Sequence, residues 1–474
     1  MNDRTTLRTT PTTTQAKRFL GFAATLSLAA SLLAGCSNSV STGSIIASAA
    51  VDVPVLITDA PADQLVSFSL TLNTIVLTDS AGKTVSILSA PTTIEVCHLN
   101  GVQAPLLTAK IPQDTYTSAT FTFSNPQITY INSAGAAVVA TPTLATTSYT
   151  HTFSSPIAIS NSSTSLLIDL LANQSVTISG TTVTVTPVFA LRPLSAATAV
   201  PPMGQNATGM EGHGAVVSAS GTTLVIQPPS GPTVTFTTNS STVMQGFTAL
   251  SGLTAGQLVE VDFTVQTGGV LLASRIELEP APPNGLPQNL ISGPVTSVSI
   301  PTFKMIATQG LGPSMGPVSA TAVTVFNVTT SSSTAFAITR QFGSLSGLPF
   351  TPSFSPTNLV AGQTVGVIAS SISGNTATAS NVTLVPQTLS GTVTAKATSG
   401  GYNVYTLTLA SGSAFATLSG ATTVTVYTSS ATVPMATNAI AAGSNVRFNG
   451  LVFNLGGGKF AMVAGCSPDG DPRI

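Results

Sequence analysis

The chain reads as an all-β protein: an N-terminal antiparallel β-sandwich followed by three small β-barrel modules. Three observations predict this. Ser, Thr, Gly, Ala and Val fill the places that charged residues usually take: only 6% of the 474 residues are charged, against about 25% in an average soluble domain, and Thr and Val favour strands. Short alternating runs are separated by Gly and Pro turns, with no convincing long amphipathic helix. A two-part signature recurs three times in the same order along the second half.

The elements follow in chain order. Arg4, Arg8, Lys17 and Arg18 precede the uncharged run Phe19–Gly35, which is short for a membrane span of about 20 apolar residues and fits a signal sequence. It ends in Leu33-Ala34-Gly35-Cys36, which resembles the lipobox of bacterial lipoproteins. That resemblance implies cleavage after residue 35 and acylation of Cys36, hence a membrane partner reached through a lipid anchor. An ordinary secretory signal is the alternative. Residues 36–50 read as a tether. From 51 to 195, runs such as "SFSLTLNTIVLT" and "SATFTFS" predict the sandwich, with Phe68, Leu70 and Leu72 on one face. Proline-rich segments at 196–211 and 281–290 read as linkers.

The repeats are expected at 212–280, 291–386 and 389–466, with an insertion at 310–357 and a tail at 467–474. Each opens on a strand ("GHGAVVSA", "ISGPVTSV", "LSGTVTAK") and later carries Ala-Gly (Ala255-Gly256, Ala361-Gly362, Ala442-Gly443), then a hairpin through a Gly turn. Each is expected to form a self-contained barrel of about five or six strands.

Two further resemblances rest on these residues. Thr58-Asp59-Ala60-Pro61, together with Pro112-Gln113-Asp114-Thr115-Tyr116, resembles domain-of-unknown-function family 4382; Asp114 stands where that family usually has Gly, which mildly alters the turn. The repeats resemble domain-of-unknown-function family 5666, implying an OB-like module, with Gly212–Leu278 the best match. Both families occur in exported bacterial proteins, and neither implies a catalytic residue.

The chemistry is sparse. No Asp or Glu falls between Glu279 and Asp469, and no His follows His213, so the last two repeats lack groups for acid–base work or for His and carboxylate ligands. Their Lys304, Arg340, Lys396, Arg447 and Lys459 read as solvated. Gly312-Pro313-Ser314-Met315-Gly316 matches G-x-S-x-G, but its prolines and the missing later His argue for a loop. His98, His151 and His213 share no metal spacing. Cys97 and His98, as adjacent strand residues, would face opposite ways, and Cys97 reads as a small buried hydrophobe that could alternatively pair with Cys466. Asp59 and Asp63 frame either a cation- or partner-binding loop or an Asx-type turn, the turn being favoured. Glu260 and Asp262 read as the solvent face of a strand. No catalytic, cofactor or metal residue is assigned.

A net charge of −1 with no basic face argues against nucleic acid. The leading expectation is a non-catalytic, lipid-anchored cell-envelope protein, at the outer membrane where one exists, whose β-modules bind or scaffold an envelope protein or glycan. A secreted adhesin or polysaccharide binder is the alternative, and an enzyme using Asp59, Asp63, His98 and His151 the third.

Overall fold

A computed structural model describes residues 49–59, 62–99, 102–160, 164–195, 210–280, 289–312, 325–339, 345–410, 412–429 and 440–464, all within one compact unit, Ala47–Ile474. Cys36, the signal and most of the tether lie outside them, as do Cys466, the tail and the Pro313–Gly316 part of the G-x-S-x-G match. The fold is all-β.

The sandwich is built from β1 (Ala50–Asp59), β2 (Leu65–Asp79), β3 (Thr84–Ser86), β4 (Thr92–Glu95), β5 (Ala104–Pro112), β6 (Thr115–Ile131), β7 (Ala137–Ala140), β8 (Thr143–Leu144), β9 (Ser148–Ala158), β10 (Thr164–Leu170), β11 (Val176–Ser179), β12 (Thr182–Val185) and β13 (Phe189–Ser195). One sheet runs β13-β10-β1-β5, the facing one β3-β2-β6-β7 with β4 and β9 alongside. The pairing is antiparallel apart from β1–β10 and the short β8–β12 contact. Phe68, Leu70 and Leu72 all point into the core between the sheets. A register shift between Leu72 and Thr74 then moves the inward positions to Ile75 and Leu77, as a bulge must. Phe121 stacks on Phe189 across the layers at 4.4 Å.

β1 and β10 do not alternate in sequence, for a physical reason. Val53, Val55 and Ile57 face the sandwich core, whereas Leu56 and Leu167 join the core of the first barrel. A strand buried on both faces reads as a continuous apolar run. Tyr116 closes the β5–β6 corner by donating its hydroxyl to the Pro112 carbonyl at 2.8 Å. Asp114 does not adopt a positive φ, so this corner places no demand for Gly there.

The three barrels share one wiring. The first has β14 (Glu211–Ser220), β15 (Thr223–Gln227), β16 (Val234–Thr237), β17 (Val243–Gln245), β18 (Leu258–Gln266) and β19 (Val270–Leu278). The second has β20 (Asn289–Ser299), β21 (Thr302–Ile306), β22 (Gln309–Leu311), β23 (Val325–Thr329), β24 (Ala335–Ile338), β25 (Thr364–Ser373) and β26 (Thr376–Leu384). The third has β27 (Gln387–Ser399), β28 (Tyr402–Leu409), β29 (Thr423–Ser429), β30 (Asn445–Asn454) and β31 (Phe460–Ala464). In each, the opening strand pairs with the second strand and with the next-to-last, and the circle closes through a parallel contact: β16–β19, β23–β26 and β29–β31.

The repeated residues are explained by one joint. The opening strand shifts register just after Val216, Val295 and Val393. At that bulge the valine carbonyl accepts from Gly256, Gly362 or Gly443 at 2.7–2.8 Å, glycines that all adopt a positive φ. The same valine donates to the residue after the glycine: Gln257, Gln363 or Ser444. The side chain of that residue caps the turn from inside, on Thr254, Val360 or Ala441. Ala-Gly and the opening Gly-x-Val are therefore two halves of one contact.

Two barrel strands, β23 and β24, lie inside the stretch 310–357 expected to be an insertion, so that expectation is corrected: the second barrel needs them for closure and edge pairing. The extra chain after β24 is a wedge between barrels. Phe350 packs on Tyr427 and Phe453 of the third barrel, and Tyr402 donates to the Ser346 carbonyl. The modules are not self-contained. Leu451, Phe453 and Val463 of the third barrel belong to the core of the second, and the buried Gln363 donates to the Val452 carbonyl at 2.8 Å.

Candidate functional site

The sandwich, the first barrel and the second barrel enclose a cleft of about 1350 Å³. Its walls mix hydroxyl and amide side chains (Ser69, Thr93 and Gln127 from the sandwich, Gln227 and Thr235 from the first barrel, Gln309 from the second) with apolar ones such as Ile87, Leu88, Leu107 and Leu271, and with the ion pair of Asp52 and Lys110. Two turns of the first barrel set its width by docking on the sandwich. At Gly269 a Cβ would lie 2.7 Å from the Asp52 carbonyl oxygen, so the second glycine of the Gly268-Gly269 turn is required by close approach. Gly231 lies by the Leu106 carbonyl, where a Cβ would make ordinary contact at 3.4 Å.

Glu95 and His98 line this cleft. Residues Cys97–Leu99 form a 3₁₀ turn rather than a strand, which corrects the expectation that Cys97 and His98 face opposite ways across a pleat. The turn wraps the Glu95 carboxylate. Its Oε1 accepts from the Phe68 and Cys97 amides at 2.9 and 3.1 Å, and its Oε2 from the His98 amide and ring Nδ1, both at 3.0 Å. A carboxylate with this many donors is fixed in place, and it leaves Nε2 as the ring atom of His98 open to a ligand. Cys97 is a free thiol against the sandwich core, pushed up in pKa by burial and then by the charges of Glu95 and Asp59.

Asp59 departs from the favoured Asx-turn reading. It ends β1, paired with Leu170 of β10, so its side chain is carried inside. Both carboxyl oxygens are buried without a well-formed hydrogen bond. Burial, then the charges of Asp169 and Glu95, raise its pKa well above the usual Asp range; the Ala172 amide and Arg447 oppose this. Asp63 does not cap a local turn either. It accepts from Ser390 of the third barrel at 2.9 Å, and its own carbonyl accepts from Ala414. Burial lifts it to about 6 against the pull of Ser390 and Arg447. Arg447, expected in solvent, is half-buried beside these acids.

A folded-state pKa raised above the unfolded value means stability that is present at low pH and lost as pH rises. Ionising Asp59 costs the folded state up to about 1.4 kcal/mol per pH unit above the normal Asp pKa of about 4. Asp59→Asn removes that loss. In thermal melts at pH 5 and pH 8, the variant gains on the native chain as pH rises; a gap that stays constant or narrows contradicts the assignment.

The largest departure is in the first barrel. Glu260 and Asp262 do lie on the outer face of β18, but both are buried, which corrects the solvent-face reading. Cross-strand register sets Glu260 between His213 and Glu277, and Asp262 between Glu211 and Arg275. Arg275 donates to Asp262 at 2.7 Å, to Glu277 at 2.6 Å and to Glu260 at 2.5 Å. His213 Nε2 lies 3.3 Å from Glu211 and 3.1 Å from Glu260. Burial works against a charged His213, yet Glu211 and Glu260 outweigh it and lift its pKa to about 10. Glu211 is pushed up by burial and by Glu260.

Of the four acid and histidine residues weighed for an enzyme, His151 stands apart, packed on Phe153 at 5.7 Å; Asp59 feels the charge of Glu95, which holds His98, and shares the pull of Arg447 with Asp63.

Comparison with known proteins agrees with the order of domains. Residues 50–187 match the family described as Domain of unknown function (DUF4382), and residues 213–277 match Domain of unknown function (DUF5666). No curated protein matches the chain. The second and third barrels repeat the wiring of the segment that matches the second family.

Proposed function

We propose that this is a non-catalytic, lipid-anchored cell-envelope protein that holds a glycan segment in the cleft between the sandwich and the first two barrels. The observation that carries this reading is the lining. Ser, Thr and Gln side chains from three modules converge on one large groove, with the Glu95–His98 pair as its fixed polar point. Such groups suit a neutral polyhydroxylated ligand, read by hydrogen bonds. The anchor rests on Leu33-Ala34-Gly35-Cys36; lipid chains contribute about 0.8 kcal/mol per buried CH₂, and two or more hold a protein stably at a membrane.

Thr235 is exposed on the barrel wall of the cleft, so Thr235→Arg fills the groove without touching a core. On a glycan array the native chain binds a defined subset and Thr235→Arg loses it. No binding, or binding that survives the substitution, overturns the cleft reading. Separately, labelled palmitate enters the native chain and not Cys36→Ala; a native chain that takes up no label overturns the anchor.

A further inference from the structure

Five of the chain's acidic residues, Glu211, Glu260, Asp262, Glu277 and Glu279, fall in the first barrel and interact with one another. Among the described residues, His213 and Arg275 are cationic groups that offset them. Burying this excess of carboxylates is costly; taking up protons relieves part of that cost, in line with the raised pKa of Glu211 and Glu279, and a further positive charge would relieve it as well.

The geometry gives that charge a place. One ligand atom each from Glu211, His213 and Glu260 lie within 4.8 Å of one another. The two separations from His213 Nε2 are 3.1 and 3.3 Å. A tetrahedral ion at about 2.0–2.2 Å from nitrogen and oxygen ligands requires neighbouring ligands roughly 3.4 Å apart. The two separations from Nε2 thus stand close to the spacing such an ion imposes, around a point now served by the ring Nε2 proton.

We propose that Glu211, His213 and Glu260 bind a divalent transition-metal ion, Zn²⁺ or its close analogue Co²⁺. The ion takes the position of the Nε2 proton, and that proton leaves to solvent. One imidazole with two carboxylates is a borderline donor set that suits these ions over Mg²⁺ or Ca²⁺, which prefer all-oxygen shells. Water completes the shell. Arg275 bonds the other oxygen of Glu260, so it acts as a positioning residue for that ligand.

The test is calorimetric titration of the full chain with ZnCl₂, with metal content measured after dialysis. One Zn²⁺ per chain is expected, with affinity at least tenfold weaker in His213→Gln and in Glu211→Gln. No binding by the native chain, or equal binding by folded variants, overturns the proposal. Should either variant fail to fold, the Co²⁺ spectrum of the native chain decides. Visible d–d bands without a sulfur charge-transfer band support the site, and a sulfur band or no spectrum overturns it.

Discussion

Replacing Arg275 by methionine destabilises the protein by about 3–5 kcal/mol, the cost of stranding buried charges by removing one partner. Arg275 holds Glu260, Asp262 and Glu277 at once, and the three strands that carry this grid, β14, β18 and β19, form much of the first barrel's wall. Methionine preserves the apolar stem, so the loss reports on charge rather than on packing. Chemical denaturation of the native chain and of Arg275→Met measures it, and a loss under about 1 kcal/mol contradicts the network. Zinc added to the native chain raises its melting temperature if the ion site is real, which couples this measurement to the proposed metal site.

Gly293→Ala has an effect of similar size, about 3–5 kcal/mol, from two sources that act together. The residue has φ +153°, which strains any side chain at a cost of about 1–3 kcal/mol, and a Cβ there would overlap the Ile306 carbonyl oxygen, which adds an overpacking cost. Gly391, its counterpart in the third barrel, meets the Thr408 carbonyl in the same way. Gly374 serves as the control: it has φ +56° and open space around its Cα, so Gly374→Ala costs only about 1 kcal/mol. Thermal melts of the two variants separate steric overlap from backbone strain. Equal losses at Gly293 and Gly374 would contradict the close approach.

Much of this architecture was legible in the sequence because it repeats or alternates. Phe68, Leu70 and Leu72 announced an inner face, and the threefold Ala-Gly announced a shared joint. The partner of that joint, Gly-x-Val, was visible too, though nothing local showed that the two segments touch. What stayed hidden depends on long-range register. Alternation places Glu260 and Asp262 on the outside of β18, and that is their side; it does not say whether the outside meets water. His213 and Glu211 reach them only because β14 pairs with β18 across some 45 residues of chain. The burial of the second face of β1, at Leu56, is likewise set by a barrel that begins 150 residues later.

The modules share cores, and these shared cores hold the walls of the cleft in place. Phe453 tests it most directly: it belongs to a strand of the third barrel and is buried in the core of the second. Hydrogen exchange of native and Phe453→Ala chains is the measurement. Shared cores require faster exchange in Thr364–Ser373 of the second barrel as well as in Asn445–Asn454 of the third; acceleration confined to the third barrel would contradict them.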